Sequence, residues 1–221
     1  MKKNFNIIIF WGAVWGLEEA TIGHLLHITL LNIGSFIWFP LAYLFMAVVY
    51  KKTGKIAAVL MTSSVAASIK LVNLFMTSNL VIVVCPMLSI VLEGITFYAV
   101  IRLIHYKQNT VHPFLKISAI SLLWRNLYAA GVLALPVWIM PSYPYGTVTK
   151  LFKLIPLEGI VNSATIYITI ILCNIIASRD KEKHIAYIKL KAKMKTLPDL
   201  CYKPAASICV LTAAFIVQWM W

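Results

Sequence analysis

Apolar residues fall in seven long runs along this chain, at roughly 5–27, 34–50, 56–78, 80–101, 115–140, 154–177 and 204–221. A helix needs about 20 mostly apolar residues to cross a hydrocarbon layer, and the runs approach that length. The pattern predicts an all-α integral membrane protein, a bundle of six to seven transmembrane helices. The seventh run is short. It begins at Pro204 and ends in Trp219-Met220-Trp221, an aromatic anchor suited to a membrane interface, so it reads as a transmembrane or interfacial helix. The expected organisation is a polytopic bundle over 1–178, a basic linker over 179–203 and this terminal helix over 204–221.

Two segments interrupt the pattern. Residues 136–149, PVWIMPSYPYGTVT, hold three prolines and a glycine and cannot prolong the fifth helix; they predict an ordered outer loop, a lid over the external face. Residues 179–203 carry lysines at 189, 191, 193 and 195, spread around a helix rather than gathered on one side. Attraction to anionic lipid headgroups, at about 1 kcal/mol per lysine, accounts for such a segment, with a docking site for a cytosolic partner as the alternative.

Charge orients the bundle. Only 12% of the 221 residues are charged and 61% are apolar, against roughly 25% charged in an average soluble domain. The net charge of +13 is not a nucleic-acid footprint, because sixteen of the twenty Lys and Arg residues sit in four clusters at the N-terminus or between apolar runs. Those clusters are Lys2-Lys3, Lys51 to Lys55, Arg102 to Lys116, and Arg179 to Lys203. With the N-terminus in the cytosol, every cluster falls on the cytosolic side, as the positive-inside rule requires. The expected location is the cytoplasmic (inner) membrane, multi-pass. No A-x-A-like cleavage site follows the first run, which continues through Glu18 and Glu19, so it predicts a retained helix. The four cysteines show no CxxC pair or metal-ligand spacing, and His24 and His27 read as interfacial residues. No metal or other cofactor is expected.

Six charges lie inside predicted spans: Glu18, Glu19, Lys70, Glu93, Arg125 and Glu158. Each costs roughly 2.5–3.5 kcal/mol at a helix centre even on the gentlest scale, so they should face the interior, pair, or mark a polar cavity. Helical spacing groups them with small or hydroxyl residues: Gly12, Gly16, Glu19 and Gly23; Ser63, Lys70 and Asn73; Ser89, Glu93 and Thr96; Ser121, Arg125 and Tyr128; Glu158, Asn162 and Thr165. Glu93 and Arg125 are each nine residues from a cytosolic charge (Arg102 and Lys116), which predicts a midplane pair between them. Glu19 and Lys70 then lie in the outer third, with Glu158 further out. Three glutamates would share one lysine. Protonation of a carboxyl, a coupling cation or a cationic solute would each relieve that excess. Two uses stay open from the residues alone: pairing that fixes helix register, which suits Glu93 and Arg125, and binding, which suits Glu19, Lys70 and Glu158. The candidate substrate-binding set is Glu18, Glu19, Lys70, Asn73, Glu93, Arg125, Glu158 and Asn162.

Helices three and four also echo helices five and six. Asn73-Leu-Phe follows Lys70 as Asn126-Leu-Tyr follows Arg125, and Leu92-Glu93-Gly94-Ile95 matches Leu157-Glu158-Gly159-Ile160. Repeats of this kind are common in transporters, with binding sites at the repeat interface.

Size, an N-in helical bundle, small residues in helix one (Gly12, Ala13, Gly16) and the segment from Pro86 to Leu92-Glu93-Gly94 together resemble the substrate-binding S components of energy-coupling-factor vitamin transporters. The resemblance implies capture of a small, cationic or vitamin-like solute from the external side. It also implies docking on a transmembrane coupling subunit with cytosolic ATPases, since this chain has no Walker motif. A seventh helix departs from the usual six. Two other classes compete: a membrane scaffold or assembly protein, and an intramembrane glutamate-dependent hydrolase. Glu18-Glu19 resembles the paired glutamates of CAAX-protease-like hydrolases, but the arginine those need four residues later is Gly23, no F-x-x-x-H or H-x-x-x-N follows in a later span, and GxSxG and HExxH are absent. An enzyme is not expected.

Overall fold

The computed structural model describes residues 2–23, 34–75, 80–106, 111–135, 148–179 and 202–220. Among these the chain forms seven α-helices and no strand: α1 (Lys2–Glu18), α2 (Gly34–Thr53), α3 (Ala57–Leu71), α4 (Leu80–Tyr106), α5 (Pro113–Leu133), α6 (Val148–Arg179) and α7 (Pro204–Met220). His24, His27, the loops 28–33 and 76–79, most of the 136–149 segment and nearly all of the basic linker lie outside the described residues.

Local chemistry sets several boundaries. Gly54 ends α2 at φ +66°, its N–H bonded to the Tyr50 carbonyl at 2.9 Å, the left-handed stop that glycine takes most cheaply. His112 caps α5 through Nδ1, which accepts the Phe114 N–H at 3.3 Å, with Pro113 in the first turn. The fifth helix stops at Leu133 rather than 140, and a tight Leu135 N–H to Val132 O bond closes it. Pro136 explains the stop, because it disfavours helical backbone at the residue before it. The sixth helix starts at Val148 rather than 154, so Lys150 and Lys153 belong to its first turns and not to the outer loop.

Helices one and three do not run on as regular α-helix. From Glu19 the first becomes a π turn, Glu19–Gly23, and the Thr21 hydroxyl donates to the Leu17 carbonyl at 2.8 Å. The third becomes a 3₁₀ turn, Val72–Phe75, directly after Lys70-Leu71. Both changes of helical pitch occur beside charged residues, where such irregularities often mark function.

Close helix contacts rest on small residues. A Cβ on Gly12 would stand 2.7 Å from Val65 Cβ and 2.9 Å from the Thr62 carbonyl, and one on Gly16 would stand 2.5 Å from Ile69 Cδ1. Four residues along α1 match four along α3, so these helices run parallel. Neighbouring helices α3 and α4 meet at Ser63 and Gly94, α4 and α5 at Leu88 and Gly131, and α5 and α6 at Leu122 and Gly159. Helix α7 runs parallel to α1. The Ser207 hydroxyl donates to the Asn6 carbonyl, Asn6 Nδ2 to the Tyr202 carbonyl and Trp11 Nε1 to the Tyr202 hydroxyl, each at 3.1 Å, while Ala214 packs with Ala13 and Ile69. The seventh helix is therefore an integral member of the bundle.

Within a mainly apolar core lie five charged side chains, and many aliphatic ones face outward. Glu19, Lys70, Glu93, Arg125 and Glu158 are buried, whereas Leu123, Leu127, Ile160, Ile171, Ile208 and Phe215 are exposed. Two stretches, Ala57–Phe75 and Val83–Tyr106, are long and apolar enough to cross a membrane.

The α1–α3 contact yields a paired prediction. Gly12→Ala meets a side-chain branch point and a backbone carbonyl, and should cost about 1–3 kcal/mol by overpacking. Gly131→Ala meets only the flexible tip of Leu88 at 3.0 Å; it should be neutral or gain up to about 1 kcal/mol from helix propensity. Thermal unfolding of the two variants checks the contrast.

Candidate functional site

The buried charges divide into two groups. In the α5–α6 hairpin, the Ser121 hydroxyl donates to the Gly159 carbonyl at 3.0 Å and fixes the register. One turn beyond Ser121 on α5 is Arg125, and next to Gly159 on α6 is Glu158; the two form an ion pair. The guanidinium also lies over the rings of Trp124 and Tyr128, at 5.4 and 5.8 Å from their centroids. Burying it against carboxylate and aromatic faces offsets part of its lost hydration.

This overturns the expected Glu93–Arg125 pair. Helix α4 presents Leu88 to α5 and Gly94 to α3, and Glu93 lies about 140° around the helix from Leu88. Its carboxylate is directed away from the Arg125 hairpin. Glu93 is 3% exposed, accepts the Ser89 hydroxyl at 3.0 Å, and stands within Coulombic reach of Glu19 and Glu18. Depth counting failed for a related reason. Arg125 and Glu158 were assigned different depths, yet the Ser121–Gly159 bond sets them side by side. Tyr167 packs against His112 and Phe114 at the start of α5, so α6 continues roughly 12 residues past that end to Arg179. Counting inward from Arg179 therefore placed Glu158 too far out.

The second group lies where α1 and α3 change pitch. Glu18 ends α1, Glu19 opens the π turn, Lys70 is in the last turn of α3 and Asn73 is in the 3₁₀ turn. Lys70 is within Coulombic reach of Glu19 and is favourably placed at a carbonyl-rich helix end, whereas Glu18 at the corresponding end of α1 is not. Among the described residues, the buried oxygens of Glu18 (Oε1) and Asn73 (Oδ1) have no hydrogen-bond partner. Of the three carboxylates, Glu19 is the one within Coulombic reach of Lys70, and Glu18 and Glu93 lie within reach of Glu19 instead. If all four groups are ionised, the cluster carries a charge of −2.

Of the eight candidate residues, Glu18, Glu19, Lys70, Asn73 and Glu93 gather around the α1 and α3 turns, and Arg125, Glu158 and Asn162 around the α5–α6 hairpin. An aromatic wall connects the groups, and the sequence reading missed it. Phe39 of α2 stacks on Trp124 at 4.4 Å between centroids and 11° between planes. Tyr43 meets Phe97, and the Tyr50 hydroxyl meets His105 Nε2 at 3.1 Å, so α2 and α4 run parallel and Phe39 comes alongside Glu93. The sequence signal was only the adjacency of Trp124 to Arg125; for Phe39 there was none, since one phenylalanine in an apolar run resembles any other. Among the described residues, no group of three His, Cys, Asp or Glu side chains could hold a metal ion.

The pairing is testable by stability. Glu158→Gln strands a buried guanidinium and should cost about 3–5 kcal/mol, with much of the loss recovered in Arg125→Met/Glu158→Leu. Glu93→Gln removes one of three mutually repelling carboxylates and should leave thermal stability unchanged or raised. A large loss in Glu93→Gln would restore the Glu93–Arg125 pairing.

No protein family, curated protein or solved structure matches this chain, so its chemistry is read from this geometry alone.

Proposed function

We propose that this chain is a multi-pass protein of the cytoplasmic (inner) membrane that captures a small, cationic, vitamin-like solute from the external side. The observation that carries the reading is the grouping of Glu18, Glu19 and Glu93, with Lys70 beside Glu19 and Arg125 already paired with Glu158. A buried surplus of this kind is relieved by a cation.

Support for the membrane setting comes from the aliphatic side chains that face outward while charged ones are buried, and from the two stretches able to span. An exposed apolar surface of this extent calls for a non-aqueous neighbour. Irregular helical turns at membrane depth are tolerated where they line a polar interior, and broken helices near the binding site recur in transporters. The basic segment 179–203 would lie on anionic lipid. Energy would come from a separate transmembrane coupling subunit with ATPases, as for the S components that the sequence resembles.

Benzylammonium provides a direct probe. The purified wild-type protein should be thermally stabilised by it and not by sodium benzoate, and Glu19→Gln or Glu93→Gln should weaken binding at least tenfold while the chain remains in carbonate-washed membranes. Equal response to both probes, or unchanged binding in both variants, would sink this reading. Release of the chain by carbonate would refute its membrane setting.

A further inference from the structure

Helix α6 is longer than the bundle it belongs to. Its 32 residues rise about 48 Å, against about 32 Å for the 21 residues of α5 and roughly 30 Å for a hydrocarbon core. The excess lies at one end. There α4 finishes at Tyr106 and α5 starts at Pro113, His105 Nε2 meets the Tyr50 hydroxyl of α2, and Tyr167 of α6 packs on Phe114. Past this layer α6 runs on from Ile168 to Arg179, about 18 Å.

Exposed Lys51, Lys52, Lys55 and Arg102 stand at the same layer and mark the headgroup level in the membrane setting proposed above. Leu157 and Ile160, exposed on the bundle side of that level, would meet hydrocarbon. Ile168, Ile171 and Leu172 continue the same helical face beyond it, at i, i+3 and i+4, and are 55, 39 and 52% exposed. An aliphatic stripe outside the hydrocarbon calls for a protein cover.

The basic linker has the length and pattern of such a cover. Residues 180–201 begin at the tip of α6, while Tyr202 is held back at the layer. Its carbonyl accepts from Asn6 Nδ2 and its hydroxyl from Trp11 Nε1, both at 3.1 Å, and Lys52 Nζ stands 5.1 Å from its ring centroid. The chain therefore returns from tip to layer within 22 residues. Along that return Ile188, Leu190, Ala192 and Met194 alternate strictly with Lys189, Lys191, Lys193 and Lys195. A helix would scatter these lysines, whereas an extended chain gathers four apolar side chains on one face and four lysines on the other. Eight extended residues cover about 26 Å, more than the overrun.

We propose that residues 188–195 fold back along α6 as an extended segment, with Ile188, Leu190, Ala192 and Met194 against the stripe of Ile168, Ile171 and Leu172 and the lysines turned to water. Outside the hydrocarbon the segment's backbone stays hydrated and needs no sheet partner. This contact shares only the membrane setting with the function proposed above and owes nothing to the solute site.

Disulfide trapping in membranes tests the contact, on the full chain with its four native cysteines replaced by alanine. Under copper phenanthroline, Leu172→Cys/Leu190→Cys should close an intramolecular disulfide roughly tenfold faster than Leu172→Cys/Lys191→Cys, whose second cysteine lies on the lysine face. The readout is loss of maleimide labelling without a dimer band on a non-reducing gel. Independently of the exact register, maleimide labelling of Leu172→Cys alone should rise about fivefold when Ile188, Leu190 and Met194 are replaced by serine, because the thiol is uncovered. Equal trapping of the two pairs together with unchanged labelling refutes the fold-back and leaves the stripe to lipid. Trapping only between chains refutes it as well and gives the stripe to a second copy. Carbonate extraction is scored first, so that loss of the membrane setting and loss of this contact are read separately.

Discussion

An ionisable side chain leaves water at a cost that a well-placed partner or a proton must offset, and this bundle buries five such groups among its described residues. Where the one buried arginine finds its partner decides the character of everything else inside. The Ser121–Gly159 bond sets α5 against α6 so that Arg125 takes Glu158. Glu93 is then left to the side of the bundle that already holds Glu18 and Glu19. The change of one ion pair moves the neutral pair to the α5–α6 hairpin and leaves Glu93, rather than Glu158, with Glu18 and Glu19.

The two hairpins follow one plan with different results. In each, a serine of the first helix faces the glycine that follows a glutamate in the second: Ser63 with Gly94 after Glu93, and Ser121 with Gly159 after Glu158. The cations are placed differently. Arg125 lies four residues beyond its serine and reaches the glutamate of its own hairpin, whereas Lys70 lies seven beyond Ser63 and comes into reach of Glu19 on α1. This offset of one turn separates a closed structural pair from an acidic cluster with oxygens to spare. The glycine contact between α1 and α3 completes the arrangement, because a close, parallel approach at Gly12 and Gly16 puts the ends of both helices on the same side of the bundle.

Much of this was legible in the residues. Apolar run lengths determine the number of helices and most of their starts, since helix formation by an amphipathic or apolar run is a local property. Prolines and glycines likewise determine local stops, Gly54 and Pro136 among them. That Glu19, Lys70, Glu93, Arg125 and Glu158 turn inward followed from their spacing with small and hydroxyl residues, and all five are buried. The acidic surplus was also countable in advance, because it depends on composition and not on who pairs with whom.

Tertiary structure alone decided the pairing. Helical periodicity gives the face on which a residue lies but not the helix toward which that face turns, so Glu93 and Arg125 looked like partners by depth while lying on faces turned apart. Depth itself was misjudged because α6 overruns the start of α5, which no count along one helix can register. The Phe39–Trp124 stack belongs to the same class. It is a relation between segments distant in sequence, set by packing, and packing is the information that a pattern of apolar and polar positions does not contain.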